Sequence, residues 1–190
     1  MKTWFITGSS RGFGAPIMEA VLASGDAVVA TARVPSSIAD HPRLLKLPLD
    51  VTNEGQARDA AARGIEKFGR IDVLVNNAGY GLLGAIEEAS AIEVEREFAT
   101  NVFGLLNVTR AVLPYMRKRR SGHIINMSSV GGYASYPGWG VYCATKFAVE
   151  GISEALSIEL APLGIHATVV EPRIFPPGFS QCPVIEQHRR

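Results

Sequence analysis

Short, continuously apolar runs alternate with segments of helical period along most of this chain. No other feature narrows the fold as much. Trp4 to Thr7, Ala27 to Thr31, Leu44 to Leu49, Asp72 to Asn76, His123 to Met127 and His166 to Glu171 read as six strands. Between them Ile17, Val21 and Leu22 share one helical face, as do Ala57, Ala61, Ile65 and Phe68. Phe98, Val102, Leu105, Thr109, Val112 and Met116 extend that spacing into one long helix; Val149, Ile152, Leu156 and Leu160 mark another. Strands that are apolar throughout, rather than alternating, are covered on both faces. The order strand–helix–strand then predicts an α/β fold: a Rossmann-like, doubly wound parallel sheet of about six strands, with right-handed crossovers.

Length and composition agree. The chain has 190 residues, 47% apolar and 19% charged, enough for one domain with a sizeable core. A formal charge of +1 gives no bias toward nucleic acid or a membrane surface. The one basic run, Arg117-Lys118-Arg119-Arg120, falls at the end of a helical stretch. There it reads as a solvated C-terminus whose cations suit the helix dipole. Cys143 and Cys182 form neither a zinc spacing nor a disulfide framework, so no metal site is expected. The first residues carry no signal-peptide core, and no run is long enough to span a bilayer. A cytoplasmic protein without nucleic-acid or membrane partners is the expectation.

Residues 7 to 14, Thr-Gly-Ser-Ser-Arg-Gly-Phe-Gly, leave the first strand and open the first helix. Gly8 permits a tight turn, Gly12 lets backbone approach a pyrophosphate, and Gly14 allows close helix–strand packing. The helix N-terminus would present free N–H groups to phosphate. Farther on, Asn76-Asn77-Ala78-Gly79 closes the fourth strand, Asn101 lies in the long helical stretch, and Ser128-Ser129 ends the fifth strand. Tyr142 and Lys146 stand at i and i+4 near the start of a helix, so they share a face. A free tyrosine titrates near ~10. A neighbouring ammonium favours its phenolate, and the tuned phenol can exchange a proton with an alcohol or carbonyl oxygen.

Gly-x-x-x-Gly-x-Gly after a threonine, Asn-Asn-Ala-Gly, an asparagine, a serine and Tyr-x-x-x-Lys follow one another here. In order and spacing the set resembles the short-chain dehydrogenase/reductase family, from about Lys2 to Pro172. The resemblance implies a nicotinamide-dependent oxidoreductase acting on a secondary alcohol or its ketone, with Tyr142, Lys146, Ser129 and Asn101 as the catalytic set. Ser129 is preferred to Ser128 because it lies thirteen residues before Tyr142. Its hydroxyl would stabilise charge on the reacting oxygen. The family's asparagine bends its helix and holds a water in a proton relay. Cofactor contacts are implied for Gly8, Ser10, Arg11, Gly12, Phe13, Gly14, Arg33, Asp50, Val51, Asn77, Ala78, Gly79, Tyr142, Lys146 and Pro172. For Asp50 a second reading stands beside adenine contact, namely capping the next helix. The second strand ends Ala30-Thr31-Ala32-Arg33 with no acid to bind a ribose 2′-hydroxyl, and Arg11 adds a second cation. Guanidinium matches phosphate geometry, so NADP is favoured over NAD. A homodimer or homotetramer is implied through the long helix and the one after Tyr142.

Gly131 to Gly140, with Tyr133, Tyr136, Pro137 and Trp139, suggests an aromatic-lined pocket or ordinary packing of that loop. Cys143 reads as a packing residue. After Glu171 the periodicity stops. Pro172 is followed by Arg173 where the family has glycine, and residues 173–190 read as a divergent tail without a long helix or a credible last strand. The expectation is a family chain cut short, a nucleotide-binding domain over 1–172, and a sixth strand left at the sheet edge. A catalytically impaired nucleotide-binding protein is the alternative to an active enzyme.

Overall fold

The computed structural model describes residues 1–172 and the backbone of Val184–Glu186. Its strands are β1 (Thr3–Thr7), β2 (Ala27–Ala32), β3 (Leu44–Pro48), β4 (Val73–Asn76), β5 (Gly81–Leu83), β6 (Gly122–Met127), β7 (Ile165–Val170) and β8 (Val184–Glu186). The helices are α1 (Gly14–Ala23), α2 (Glu54–Phe68), α3 (Ala91–Phe98), α4 (Leu105–Arg119) and α5 (Gly140–Leu160). Six strands form one parallel sheet in the order β3-β2-β1-β4-β6-β7. The fold is the expected doubly wound one, and each of the six expected strands lies within one or two residues of its place.

The apolar strands explain the two layers of core. Phe5, Val29, Leu74 and Ile124 face α2, α4 and α5, together with Val108, Val112 and Met116. Ile6, Val28, Ala30, Val73 and Val75 face the opposite way, against Met18 and Val21 of α1. Adjacent residues of one strand thus point into different cores, as a pleat requires. Among the described residues β7 has only β6 as a neighbour, so it stands at the sheet edge as expected.

Four expectations need correcting. The long helix from Phe98 is not continuous: a π-helical turn over Ala99–Gly104 separates α3 from α4. Such turns arise where side chains compete with the i→i−4 ladder, and here Asn101 turns its amide to other partners. The tail does contribute a strand, because the backbone of Val184–Glu186 pairs in parallel with β5. Three residues are too few to register as a hydrophobic period. The rest of 173–190, Arg173 and Cys182 included, lies outside the described residues. The basic run is not simply solvated. Arg119 donates to Ile71 O at 3.2 Å and Asp72 Oδ1 at 2.7 Å, and Arg120 donates to Pro162 O at 2.6 Å. Finally, Asp50 does not cap α2. Asn53 does, accepting the Gln56 N–H at 3.0 Å, while Asp50 accepts from Thr52 N and Oγ1.

Asp72 ties these ends together. It is almost buried and takes hydrogen bonds from Thr3 N–H, Arg70 and Arg119. Burial pushes its carboxyl up, but the bonds from Arg70, Thr3 and Arg119 outweigh that and hold it below the ordinary range.

Candidate active site

The chain runs β1-β2-β3 outward to one side of the sheet, then returns to build β4, β6 and β7 on the other. The order reverses between β1 and β4. Loops leaving the C-terminal ends of these two strands diverge there and open a crevice. In this crevice the Gly8 turn meets Asn77-Ala78-Gly79. Thr7 Oγ1 accepts the N–H groups of Asn77 and Ala78, both at 2.9 Å. Asn77 Nδ2 donates back to Thr7 O at 2.9 Å and Gly8 O at 3.2 Å.

The turn itself needs its glycines. Gly8 and Gly12 have φ of +68° and +58°, where a side chain is strained. A Cβ on Gly14 would lie 2.2 Å from Gly8 O, so α1 can approach its own entry loop this closely only without one. Among the described residues no side chain caps α1, and the turn is a backbone cradle suited to a pyrophosphate. Ser10 is half-buried in the turn, Phe13 stands at the N-cap, and Arg11 is exposed.

Thr7 and Thr31 are register partners, which brings Arg11 and Arg33 beyond the same edge of two adjacent strands. Arg33 and Asp50 line one cleft of about 600 Å³ with Pro48, Leu49, Gly55, Gln56 and Asp59. The side chain of Val51 goes elsewhere, into the core, and its carbonyl accepts from Asn107 Nδ2 at 3.0 Å. Pro172 closes the edge at the end of β7, its carbonyl accepting the Val130 N–H at 3.3 Å.

Beside the crevice, α5 supplies Tyr142 and Lys146. Lys146 is 8% exposed; its Nζ donates to Met127 O at 2.8 Å and lies 5.6 Å from the centre of the Tyr142 ring. The ring packs edge-on to Trp139, with centroids 5.5 Å apart. Ser129 Oγ accepts the Gly131 N–H at 3.1 Å. A Cβ on Gly131 would sit 3.4 Å from Tyr142 Cε1 and 3.6 Å from Ser129 Oγ, so the serine and the phenol ring flank one point. Ser128 points away: its buried hydroxyl faces Gly132. Asn101, 2% exposed, bonds the backbone of Tyr80 in both directions, accepting from its N–H at 3.1 Å and donating to its carbonyl at 2.8 Å. It also donates to Thr145 Oγ1 at 3.1 Å. Gly79 lies between Asn101 and Lys146: a Cβ there would be 3.0 Å from Asn101 Oδ1 and 3.9 Å from Lys146 Nζ. Thus all four expected catalytic residues gather around Gly79, Gly81 and Gly131.

Sequence reading took in Asn76 within the Asn-Asn-Ala-Gly motif but passed over Asn126 and Ser153, which complete the support of this arrangement. Asn76 Nδ2 donates to Thr109 Oγ1 and to Asn126 Oδ1, and Asn126 Nδ2 donates to Ser153 Oγ. This buried chain fixes β4, α4, β6 and α5 to one another, which holds the tyrosine helix against the sheet. Its signal was visible: an asparagine inside the apolar run Ile124-Ile125-Asn126-Met127 must find partners if buried. The loop Gly131 to Gly140 splits its aromatics. Tyr136 and Pro137 line a second cleft of about 720 Å³ with Ile86 and Gly140, Trp139 packs on Tyr142, and Tyr133 is exposed. Cys143 is buried against Gly131, as a packing residue should be.

Comparison with known proteins agrees with this architecture. The family model for short chain dehydrogenases matches residues 2–181. Oxidoreductase BOA17 of Botryotinia fuckeliana is 45% identical over 177 residues, covering 90% of this chain and 65% of its own. A 3-ketodihydrosphingosine reductase of Bacteroides thetaiotaomicron is 47% identical over 175 residues, covering 92% and 64%. The chain thus spans somewhat less than two thirds of these relatives. Among solved structures, a short-chain dehydrogenase from Streptomyces avermitilis superposes with a TM-score of 0.89 at 44% identity, covering 93% of this chain and 67% of that one. ElxO with NADP bound gives 0.85 at 31%, covering 91% and 73%. A 3-ketoacyl-(acyl-carrier-protein) reductase from Brucella melitensis complexed with NADH gives 0.88 at 30%, covering 90% and 75%. Glycine cradle, switch-point crevice and tyrosine helix therefore have one common source: the chain belongs to the short-chain dehydrogenase family.

Proposed function

We propose that residues 1–172 form the nucleotide-binding and catalytic domain of an NADP-dependent oxidoreductase that interconverts a secondary alcohol and its ketone. One observation carries the reading: Tyr142, Lys146, Ser129 and Asn101 converge beside a glycine cradle at the switch point of the sheet. When bound, the nicotinamide supplies or takes up the hydride. The pyrophosphate belongs on Gly8, Ser10, Gly12, Phe13, Gly14 and the N-terminus of α1. Asn77, Ala78, Gly79 and Pro172 border the nicotinamide end, and Asp50 with the Val51 backbone borders the adenine end. Arg11 and Arg33 take the 2′-phosphate, since no acid stands at the end of β2 to repel it.

Tyr142 holds the proton that passes to or from the substrate oxygen. The Lys146 ammonium favours the phenolate, and its bond to Met127 O fixes it there. Ser129 Oγ, on the same side as the ring, donates to that oxygen as charge develops on it. Asn101 holds the Tyr80 segment and the π turn in place, so Gly79 can pass between it and Lys146. The ketone reading also draws on the name of the Bacteroides relative, a ketoreductase. Assembly as a homodimer or homotetramer belongs to the same proposal: Phe103 before α4 and Phe147 on α5 are 57% and 48% exposed. Light scattering at high micromolar concentration tests it. Among the described residues no helix is long and apolar enough to cross a membrane; a cytoplasmic setting is part of the proposal.

Fluorescence titration with NADPH and NADH, with a turnover screen on ketones, tests the reading. Tyr142→Phe removes only the hydroxyl; it is expected to abolish turnover while leaving NADP binding nearly intact. Near-wild-type turnover in that variant, with binding confirmed, would remove Tyr142 from the acid–base role. Binding without any turnover in the unmodified chain would favour a nucleotide-binding protein that has lost catalysis.

A further inference from the structure

Glu97 stands on the last turn of α3, one helical turn before Asn101, and is 0% exposed. No step described above uses it. Its Oε1 accepts the Leu82 N–H of β5 at 2.9 Å. Its Oε2 is buried and has no hydrogen-bond partner among the described residues. A half-satisfied carboxyl in a core costs stability, and nothing in the packing requires one. What distinguishes this position is its company. Both α3 and β5 pack against α5, the helix of Tyr142 and Lys146. Gly81, beside Leu82, touches the Tyr142 ring: a Cβ there would be 3.4 Å from Cδ2.

Among the described residues the charged and titratable groups around Glu97 are few. Lys146, on α5, favours its ionised form. Tyr80, from the segment before β5, senses its charge, along with those of Arg96, Arg33 and Glu93. Tyr142 lies on α5 behind Gly81. Burial pushes the Glu97 carboxyl up to about 7, against the Leu82 N–H and the Lys146 ammonium, which both pull it down.

We propose that Glu97 is a positioning residue for the acid–base step: through Lys146, its carboxyl sets the charge that Tyr142 experiences. This rests on the roles assigned above to Tyr142 and Lys146. With Glu97 neutral, its carboxyl does not offset the Lys146 ammonium, which favours the phenolate. When Glu97 releases its proton to solvent, the new negative charge offsets the ammonium and raises the proton affinity of Tyr142. The two groups titrate as a coupled set rather than independently.

Glu97→Gln keeps the shape and the Leu82 bond while removing the charge. The readout is the tyrosinate absorbance of Tyr142, taken as the difference from Tyr142→Phe in each background, in the free protein without substrate. The expected result is an apparent Tyr142 pKa lower in Glu97→Gln than in wild type, by on the order of one pH unit. The pH profile of ketone reduction should lose one inflection near neutrality. Superimposable tyrosinate titrations would overturn the proposal. If Glu97→Gln does not fold, carboxyl and ring resonances of the wild type in one pH series decide. A shared inflection of Glu97 and Tyr142 supports the coupling, and a Tyr142 ring unmoved through the Glu97 titration overturns it. A shift in the tyrosinate titration with full turnover by Tyr142→Phe would leave the coupling standing and sink the catalytic assignment instead.

Discussion

The same carboxyl makes the stability of the fold depend on pH in a direction opposite to most carboxylates. Glu97 titrates at an ordinary 4.5 when the chain is unfolded and at about 7 when folded. Between those values the unfolded chain has released a proton that the native protein still binds. Unfolding therefore becomes easier as pH rises, by about 1.4 kcal/mol for each pH unit. The loss begins near pH 4.5, grows to roughly 3 kcal/mol at pH 7, and then levels off. Glu97→Gln has no proton to release and escapes it. The variant should gain on the wild type by roughly 3 kcal/mol between pH 4.5 and 7.5, a large share of the stability of an ordinary domain. Urea unfolding at a series of pH values measures this, with the midpoint difference multiplied by a shared slope. The side chain is buried, so bulk water screens little of the charge that forms there. A constant offset between the two proteins across that range would refute the reasoning, because it would mean that Glu97 is ionised in the native state throughout.

Three further outcomes follow from other parts of the structure. Gly14→Ala sets a methyl 2.2 Å from Gly8 O and should cost about 1–3 kcal/mol by overpacking, more than the gain in helix propensity; thermal melting and NADPH titration should both fall. Arg33→Asp replaces an exposed cation by the acid that binds a ribose 2′-hydroxyl, so the ratio of NADPH to NADH affinity should invert, and equal affinities in the unmodified protein would refute the assignment. Asp72→Asn weakens the bonds from Arg70 and Arg119 and should destabilise by roughly 3 kcal/mol in urea unfolding near neutral pH. Because the folded carboxyl titrates lower than the unfolded one, the wild-type advantage should be present above about pH 4 and fade as pH falls below it.

Much of this protein could be read along its sequence because the relevant physics is local. A strand buried on both faces must be apolar throughout, so Phe5, Val29, Leu74 and Ile124 announced the sheet residue by residue. A turn that forces positive φ at Gly8 and Gly12 and admits no Cβ at Gly14 writes glycine into those places. Tyr142 and Lys146 share a face because a helix has a fixed period. Tertiary structure decided whatever depends on partners distant in the chain. On sequence alone, capping the next helix was one reading of Asp50; the path of the chain into α2 gave that role to Asn53. The Asn101 side chain bonds Tyr80 and Thr145, twenty-one and forty-four residues away, and the helix carries a π turn there that no local period encodes. The basic run looked solvated until the residue before β4 and the turn after α5 supplied the Asp72 carboxylate and the Pro162 carbonyl. Glu97 is the clearest case. In sequence it is one acid among several on a polar helix, Glu93-Val94-Glu95-Arg96-Glu97. It becomes a buried, half-satisfied carboxyl only when β5 and α5 close over it. Burial is a property of the whole packed molecule, and so is the proton affinity that burial creates.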